Sequence, residues 1–378
     1  MSYAARLWVG WSLGWCLAGL HPVHAQAQAP SPAASVELRL DDMRQMVANA
    51  SKHGVPWSGP QSGPAAHPGA TIAIISEDLR NGGILGVSKG IQEAAKTIGW
   101  KTKIYDASGT PTGRAGALTA ALALNPDGVI LVGVDVKEVR SQLSPFEARK
   151  IPMVGWHVGP TAGPIAGSPI AMNVSTDPLE VARITAMAAV VASEGRAGVV
   201  LFTDSNFEIA MAKSNAMADV IRACKTCSLL EIKDVAISKS AELMPATTQD
   251  LLARHGARWT HALAINDIYF DYAAPELTRA GKSSKSISML SAGDGSAAAF
   301  LRIRAGTFQT GTVSEPLNLH GWQLIDELNR LLARQPVSGY VVPVHLVTPD
   351  NIAFDGGGQH QYDPDNGYRT IYRRIWKR

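Results

Sequence analysis

The stretch TIAIISEDLRNGGILGVSKG, residues 71–90, predicts one complete βα unit. The run TIAII is short, apolar and β-branched, which is typical of a strand that is buried on both faces. The polar segment SEDLRN ends that run, and the two glycines after it open a stretch with apolar residues at helical spacing. A buried strand, a polar loop and a helix in this order form the building block of a parallel α/β sheet.

The same alternation continues outward from this unit to about residue 347. Turn sequences such as NPDG at 125–128 separate the elements. Residues 157–170 are rich in Pro and Gly and lack periodicity, so we interpret them as the first crossover between two similar halves. The predicted strands are 71–75, 102–105, 128–132 and 152–156 in the first half and 171–174, 198–202, 229–235, 261–265, 286–290, 307–312 and 341–346 in the second.

Three further segments flank these halves. Residues 1–25 carry Arg6, an apolar run and the sequence VHA, which together are typical of a secretory signal peptide and predict a periplasmic protein. An uncleaved membrane anchor is the alternative for the same residues. Residues 26–70 begin with Ala, Pro and Gln and are predicted to form an N-terminal extension or linker. Residues 354–378 form a C-terminal tail whose role the sequence leaves open.

Composition and motifs argue against several classes of function. The net charge is +3 and the basic residues do not cluster before the last few positions, so we expect no nucleic-acid partner. After Leu20 no apolar run reaches the ~18 residues of a membrane span. No nucleophile elbow, zinc-protease or phosphate-loop motif is present, so we expect neither an enzyme nor a cofactor. Asp363, Asp365 and Gly367 have the wrong spacing for a calcium loop, so we also expect no metal.

Two cysteines, Cys224 and Cys227, remain after the signal sequence. Their C-x-x-C spacing allows either a structural disulfide or a redox pair. They follow a helical pattern that runs from Ile209 to Ile221, so they lie at a helix C-terminus, where the dipole disfavours a thiolate. In an oxidising compartment we therefore expect a structural disulfide.

Several short motifs occur along the chain in a characteristic order. They are the stretch at 71–90, TKIYDASGTP at 102–111, NPDGVILVGV at 125–134, IPMVGW at 151–156, HALAIND at 261–267 and SAGDG at 291–295. Together they resemble the type I periplasmic binding proteins, the ribose- and galactose-binding class of substrate-binding proteins that serve ABC importers. The resemblance covers about residues 71–347, which is most of the chain after the signal sequence.

This resemblance implies an α/β fold of two Rossmann-like parallel-sheet lobes joined by a three-segment hinge. Lobe 1 would comprise residues 71–157 and 315–341, and lobe 2 residues 171–313 and 343–353. It also implies a monomer that closes on a small ligand in the cleft and docks onto an ABC permease in the inner membrane. A ligand-sensing protein that signals to a membrane receptor would use the same closure, so both functions stay open.

In open parallel sheets, ligands lie beyond the carboxyl ends of the strands. In the first lobe this rule places Asn81, Gly83, Trp156 and His157 at the cleft. The resemblance implies that Asn81 hydrogen-bonds a sugar hydroxyl and that His157 stands where monosaccharide binders have an acid. Trp156 or His157 could supply an aromatic platform. The structural alternatives are a helix cap for Asn81 and a core position for Trp156.

In the second lobe and at the second crossover, the same rule selects Asn206, Lys213, Asn266, Asp294 and Glu315. The resemblance implies ligand contacts for Lys213, Asn266 and Asp294, with the carboxylate accepting hydroxyl hydrogens. The structural alternatives are a helix cap for Asn206, a solvated side chain for Lys213 and a helix N-terminal charge for Glu315.

The resemblance predicts a sugar or a similar polyol as the ligand. However, Gly82 and Gly83 stand where monosaccharide binders usually have aromatic residues. The acid–arginine pair expected after the fourth strand is replaced by His157 and Val158. A nucleoside or a small aromatic metabolite is therefore the alternative ligand.

Overall fold

The structure is a computed structural model that describes Gly10 and residues 39–378. The predicted signal peptide and its cleavage point lie outside the described residues. Within residues 39–378 two sheets are present, one entirely parallel and one mostly parallel, which confirms the predicted α/β class. No helix in this part of the chain is long and apolar enough to cross a membrane.

The first lobe is preceded by a helix, α1 (Leu40–Ala50), and is built on a parallel sheet. Its elements are β1 (Thr71–Ser76), α2 (Gly82–Ile98), β2 (Lys101–Asp106), α3 (Pro111–Ala123), β3 (Gly128–Val132), α4 (Val136–Ala148), β4 (Met153–Trp156), β5 (Ile170–Val174) and, from later in the chain, α10 (Leu317–Leu332). The strand order is β2-β1-β3-β4-β5. Ile72 and Ile74 pack with α2 and α10, whereas Ala73 and Ile75 pack with α3 and α4. Because both faces of β1 are covered, the strand is a continuous apolar run.

The second lobe repeats this plan. Its elements are α5 (Pro178–Ala192), β6 (Gly198–Thr203), α6 (Glu208–Ala223), β7 (Ser228–Asp234), α7 (Ser240–His255), β8 (His261–Ala264), α8 (Ile268–Arg279), β9 (Ser288–Ser291), α9 (Ala297–Ala305), β10 (Gln309–Val313) and β11 (Leu346–Val347). The strand order is β11-β10-β9-β8-β6-β7, with β11 antiparallel to β10. The strand predicted at 341–346 is reduced to the short β11; Pro343, which has no N–H for a ladder, stands within the predicted range.

One predicted lobe boundary is wrong. β5 pairs in parallel with β4, so residues 170–174 belong to the first lobe and not to the second. The loop between these strands folds back on its own lobe, because the Asn173 side chain accepts from Val158 N at 3.1 Å and donates to Thr161 O at 2.6 Å. The first crossing between the lobes therefore follows β5.

The N-terminal strap, residues 40–66, passes from the second lobe to the first. Its helix α1 packs on α5 of the second lobe. Further along, Trp57 contacts Tyr340 and Tyr372 in the core of the first lobe, with ring centroids 5.1 and 5.5 Å away. This segment, predicted as an extension or linker, is thus attached to both lobes.

The C-terminal strap, residues 352–376, makes a similar passage. It contains α11 (Ile352–Asp355) and α12 (Tyr368–Trp376). Tyr362 packs with Phe300 of the second lobe, whereas α12 packs on α10 and α2 of the first. The indole of Trp376 stacks on Trp322 of α10 and donates to Asp326 at 2.7 Å. The tail left open by the sequence is therefore a second terminal connection between the lobes.

The two straps meet at Asp355. Its carboxylate lies 2.6 Å from Nδ1 of His53 in the N-terminal strap and 2.9 Å from Nε2 of His345 just before β11. Burial alone would raise the pKa of Asp355, but the hydrogen bonds from His345 and His53 lower it below its usual value. The hinge region is therefore reinforced by a polar contact that joins both ends of the described chain.

The predicted disulfide is confirmed. Cys224 and Cys227 are bonded directly after α6, in the turn that leads to β7. Both side chains pack against the core of the second lobe. Their position at the end of a helix, away from the cleft loops, fits a structural bridge.

Candidate ligand-binding site

A cavity of about 500 Å³ lies between the two lobes. Loops that follow β1, β2, β3 and β4 line it from the first lobe, and loops that follow β6, β7, β8 and β9 line it from the second. Both sheets therefore present their carboxyl ends to the cavity, which is where open parallel sheets hold ligands. The volume is within the range of small-molecule sites.

His157 follows β4 in a left-handed backbone conformation, with φ of 52°. Its imidazole stacks on the indole of Trp156, with ring centroids 3.7 Å apart and planes inclined by 10°. Nε2 of His157 lies 2.8 Å from Oε1 of Glu315 in the second crossing. Positive φ at a non-glycine residue is uncommon, and such strain clusters at functional sites. The imidazole is thus fixed by stacking on one face and by a hydrogen bond at Nε2.

Glu315 lies behind His157 and is shielded from solvent. Its carboxylate also lies 3.9 Å from Nζ of Lys213. Burial alone would raise the pKa of Glu315, but the charge and hydrogen bond of His157 and the ammonium of Lys213 lower it to about 2. Although the sequence predicted a ligand contact here, Glu315 is not on the cavity wall. It orients His157 instead.

His320 on α10 completes the support behind Trp156. The indole Nε1 of Trp156 donates to Nδ1 of His320 at 3.1 Å. A ring nitrogen that accepts carries no proton, so this imidazole is neutral. Burial lowers the pKa of His320 to about 4, which agrees with the neutral form. Trp156, only 1% exposed, is therefore a fixed part of the cavity wall with His157 covering one ring face.

Asp294 follows β9 in the opposite lobe and lines the cavity. Nδ2 of Asn266 donates to its Oδ2 at 2.8 Å. Its Oδ1 lies 3.8 Å from Nδ1 of His157, which is too long for a hydrogen bond. Burial raises the pKa of Asp294, and the charges of His157 and Lys213 offset this effect only in part. This carboxylate therefore has capacity to accept further hydrogen bonds.

Lys213 on α6 reaches the same region from the second lobe. It is buried, and its Nζ donates to the carbonyl oxygen of Ala292 at 2.9 Å. An ammonium has three N–H groups, so this bond fixes its position without exhausting its capacity to donate. The sequence left a solvated side chain as the alternative for Lys213, and the burial excludes it.

Asn81 and Gly83 mark the start of α2. Oδ1 of Asn81 accepts from the backbone N–H of Gly83 at 2.9 Å, so this side chain caps the helix and also lines the cavity. A Cβ at Gly83 would overlap the carboxylate of Asp294. Gly83 is therefore not a wall residue; it allows the helix of one lobe to approach the carboxylate of the other.

Asn206 lies after β6 at the exposed part of the cavity. Its Nδ2 donates to Oδ1 of Asp204 at 2.7 Å. The second oxygen of Asp204 accepts from the backbone N–H of Ile237 at 2.7 Å, which fixes the loop after β7. Asp204 and Asn206 therefore hold two wall segments together.

One polar group on the cavity wall, contributed by the loop after β1, was not among the residues predicted from the sequence. Nε of Arg114 on α3 donates to both carboxylate oxygens of Glu77, at 2.9 and 3.1 Å. Burial raises the pKa of Glu77, and Arg114 opposes that shift. The neighbouring Asp78 is bound by Arg80, with Nη2 and Oδ2 2.6 Å apart. The rule that selected Asn81 also applies to Glu77 and could have found it.

The structure thus brings most of the predicted residues to one cavity. Gly83 and Glu315 lie outside its wall, for the reasons given above. A ligand contact for each of the others remains a prediction. The predicted residues on the wall are Asn81, Trp156, His157, Asn206, Lys213, Asn266 and Asp294.

His157, Asp294 and Glu315 each place one potential metal-binding atom within 4.8 Å of the others. However, Glu315 is already hydrogen-bonded to His157, and the ammonium of Lys213 lies 3.9 Å from the same carboxylate. A fixed cation at that distance would repel a metal ion. The donor set is therefore suited to hydrogen bonding with a neutral polar ligand.

Two α/β lobes with a polar cavity at their facing strand ends define a ligand-binding protein of the hinged, two-lobe class. The family described as "Periplasmic binding protein domain" matches residues 72–336, and the chain belongs to this family. A comparison with curated protein sequences gave no match.

Solved structures share this fold over most of the chain. An ABC transporter solute binding protein from Agrobacterium vitis bound with alpha-D-tagatopyranose has a TM-score of 0.69 at 16% identity, over 77% of this chain and 99% of its own. An ABC transporter solute binding protein from Mycobacterium smegmatis with bound glycerol has a TM-score of 0.67 at 18% identity, over 78% of this chain and 99% of its own. The 5-methylthioribose transporter solute binding protein from Thermotoga lettingae has a TM-score of 0.66 at 12% identity, over 81% of this chain and 92% of its own. At these identities the similarity shows the fold.

Proposed function

We propose that this protein is a periplasmic solute-binding protein that captures a sugar or similar polyol between its lobes and delivers it to an ABC permease. The family match supports this class of protein. The bound tagatopyranose and glycerol of two similar structures support this class of ligand. The observation that carries the proposal is the set of hydrogen-bonding groups that Asp294, Asn266 and Lys213 present opposite His157.

This set suits hydroxyl groups in particular. A hydroxyl both donates and accepts, so it can donate to the carboxylate of Asp294 and accept from the ammonium of Lys213. Because Asp294 and His157 come from opposite lobes, a ligand that bonds to both is held best when the cleft is closed. Such a ligand shifts the population toward the closed state by its difference in affinity for the two states.

The position of Trp156 favours a polyol over the alternative of a nucleoside or aromatic metabolite. One face of its ring is covered by His157, and the side chain is almost entirely buried. It therefore offers no free face on which an aromatic ligand could stack at this point of the cavity.

A periplasmic location agrees with the predicted signal peptide at residues 1–25 and with the disulfide between Cys224 and Cys227. Disulfides of this kind persist in oxidising compartments. Delivery to a permease predicts that a strain without this protein loses uptake of the labelled ligand. Unchanged uptake together with a lost transcriptional response would assign the same binding event to sensing.

A thermal-shift screen of the secreted protein tests the proposed ligand class. The panel contains monosaccharides, polyols, nucleosides and small aromatic acids. A ligand that binds only the native state at a thousandfold excess over Kd raises the free energy of unfolding by about 4 kcal/mol. We expect stabilisation by sugars or polyols, with Kd then measured by calorimetry. Stabilisation by nucleosides or aromatic acids alone, or by none of the panel, would overturn the proposal.

A further inference from the structure

The cavity is longer than a single sugar ring requires. It is lined by the loop after β2 at one end and by the loop after β4 at the other, and these strands are three positions apart in the order β2-β1-β3-β4. Neighbouring strands lie about 4.8 Å apart, so three spacings correspond to ~14 Å. The second lobe matches this length, because its loops after β7 and β9 are also three strands apart.

The two ends differ in chemistry. The hinge end contains Asp294, Lys213 and His157, which keep the hydrogen-bonding capacity described above. We call the opposite end, formed by the loops after β2 and β7, the distal end. Its apolar wall residues are Pro111 and, from the second lobe, Ile237 and Leu243, with Phe207 on the neighbouring loop after β6.

Lys239, after β7, is exposed on this wall, whereas the buried charged groups toward the distal end have partners within the protein. Both carboxylate oxygens of Glu77 accept from Nε of Arg114, and Asp78 forms an ion pair with Arg80. Asp204 is engaged by the Ile237 backbone. Buried groups that already have partners gain little from a ligand, whereas a ligand that covers the apolar side chains removes their surface from water. The distal end therefore favours an apolar ligand group.

The distal loops also approach each other across the cleft. A Cβ on Gly109, after β2, would lie 2.7 Å from Cβ of Ser238, after β7. An apolar group at this end would therefore be enclosed by both lobes. Leu243, which lines this end and is 38% exposed, would be covered in part when such a group binds.

We propose that the ligand is a sugar bearing an apolar substituent, with its hydroxyls at the hinge end and the substituent at the distal end. This inference rests on the proposed function and specifies its substrate class. It predicts that affinity depends on two separate contacts, one polar and one apolar, at opposite ends of one elongated cavity.

Matched glycosides test the inference. Calorimetry with the methyl and phenyl glycosides of galactose, glucose and xylose, in both anomers, measures the effect of the substituent on one sugar at a time. We expect at least one phenyl glycoside to bind tenfold more tightly than its methyl partner. Leu243→Asn should reduce that ratio to less than threefold. Leu301→Asn, at a 51% exposed position on α9, serves as the control and should leave the ratio unchanged.

The outcomes separate the two proposals. Equal affinity for methyl and phenyl partners throughout would overturn the substituent inference and leave sugar binding intact. Binding of free sugars but of neither glycoside would do the same, since the distal end would then reject substituents. Failure of every free sugar, polyol and glycoside to bind would instead overturn the proposed function.

Discussion

Two buried carboxylates near the cavity, Asp294 in the second lobe and Glu315 in the hinge, have pKa values that are shifted in opposite directions. Glu315 accepts a hydrogen bond from His157 and faces Lys213, and its pKa is lowered to about 2 although burial acts in the other direction. For Asp294 burial prevails and raises the pKa. His157 and Lys213 lower the pKa of both carboxylates. However, Nε2 of His157 lies 2.8 Å from Oε1 of Glu315, whereas its Nδ1 lies 3.8 Å from Oδ1 of Asp294.

This difference separates a structural carboxylate from one that is prepared for a ligand. Glu315 has its partners in the unliganded protein, so its ionised form stabilises the fold. Asp294 is ionised at a cost, because one of its oxygens has no close donor from His157. A ligand hydroxyl at that oxygen would supply the missing bond. We therefore assign the proposed ligand contact to the carboxylate whose surroundings are incomplete.

We expect the greatest loss of stability when Glu315 is neutralised. Glu315→Gln should lower the free energy of unfolding at pH 7 by about 3 kcal/mol, since breaking a buried ion pair leaves its partners uncompensated. Chemical denaturation measures this change. Glu208→Gln is the matched control: Glu208 also bonds across the cleft, to Lys137 at 2.9 Å, but it is exposed and should cost less than about 1 kcal/mol. Equal losses of stability in the two variants would contradict the structural role assigned to Glu315.

The stabilisation by Glu315 should depend on pH. The pKa of Glu315 is about 2 in the folded protein against 4.5 as its ordinary value, so its contribution is present above pH 4.5 and is lost as pH falls toward 2. The stability difference between the wild type and Glu315→Gln should therefore be about 2 kcal/mol smaller at pH 3 than at pH 5. A constant difference in denaturation experiments would mean that Glu315 is not held ionised by His157.

Asp294 should show a smaller effect on stability, of the opposite sign. Asp294→Asn should weaken ligand binding more than tenfold, while the free energy of unfolding of the unliganded protein rises by about 1 kcal/mol, as at other sites where function costs stability. Calorimetry measures the change in ligand affinity, and chemical denaturation measures the change in the free energy of unfolding. Asp219→Asn, at an exposed position on α6, should change neither quantity. A destabilised Asp294→Asn protein would place Asp294 with Glu315 among the structural carboxylates.

Much of this arrangement was predictable because it follows local rules. The apolar run at 71–75 predicted β1, and the rule of strand carboxyl ends selected His157, Asn266 and Asp294. The role of Glu315 was not predictable, because a residue at a crossover can face either the cleft or the protein interior. Only the packing of the second crossing against β4 places its carboxylate behind His157.

Two further features depend on contacts between distant residues. β5 was assigned to the wrong lobe because parallel strands are usually joined through a helix, and here an irregular loop fixed by Asn173 joins them. The straps depend on Trp57 meeting Tyr372, far apart in the chain, and neither residue lies in a periodic pattern that indicates the contact. Sequence periodicity reports which face is buried but not what covers it.

The two terminal straps bear on the kinetics of capture. In the described part of the chain, five segments rather than three pass between the lobes, so opening the cleft must also deform both straps. We expect a narrower opening, and hence slower association, than a hinge of three segments would give. In return, less conformational freedom is lost when the lobes close, and dissociation should be slower. The straps would then suit a ligand that is scarce and retained for long periods.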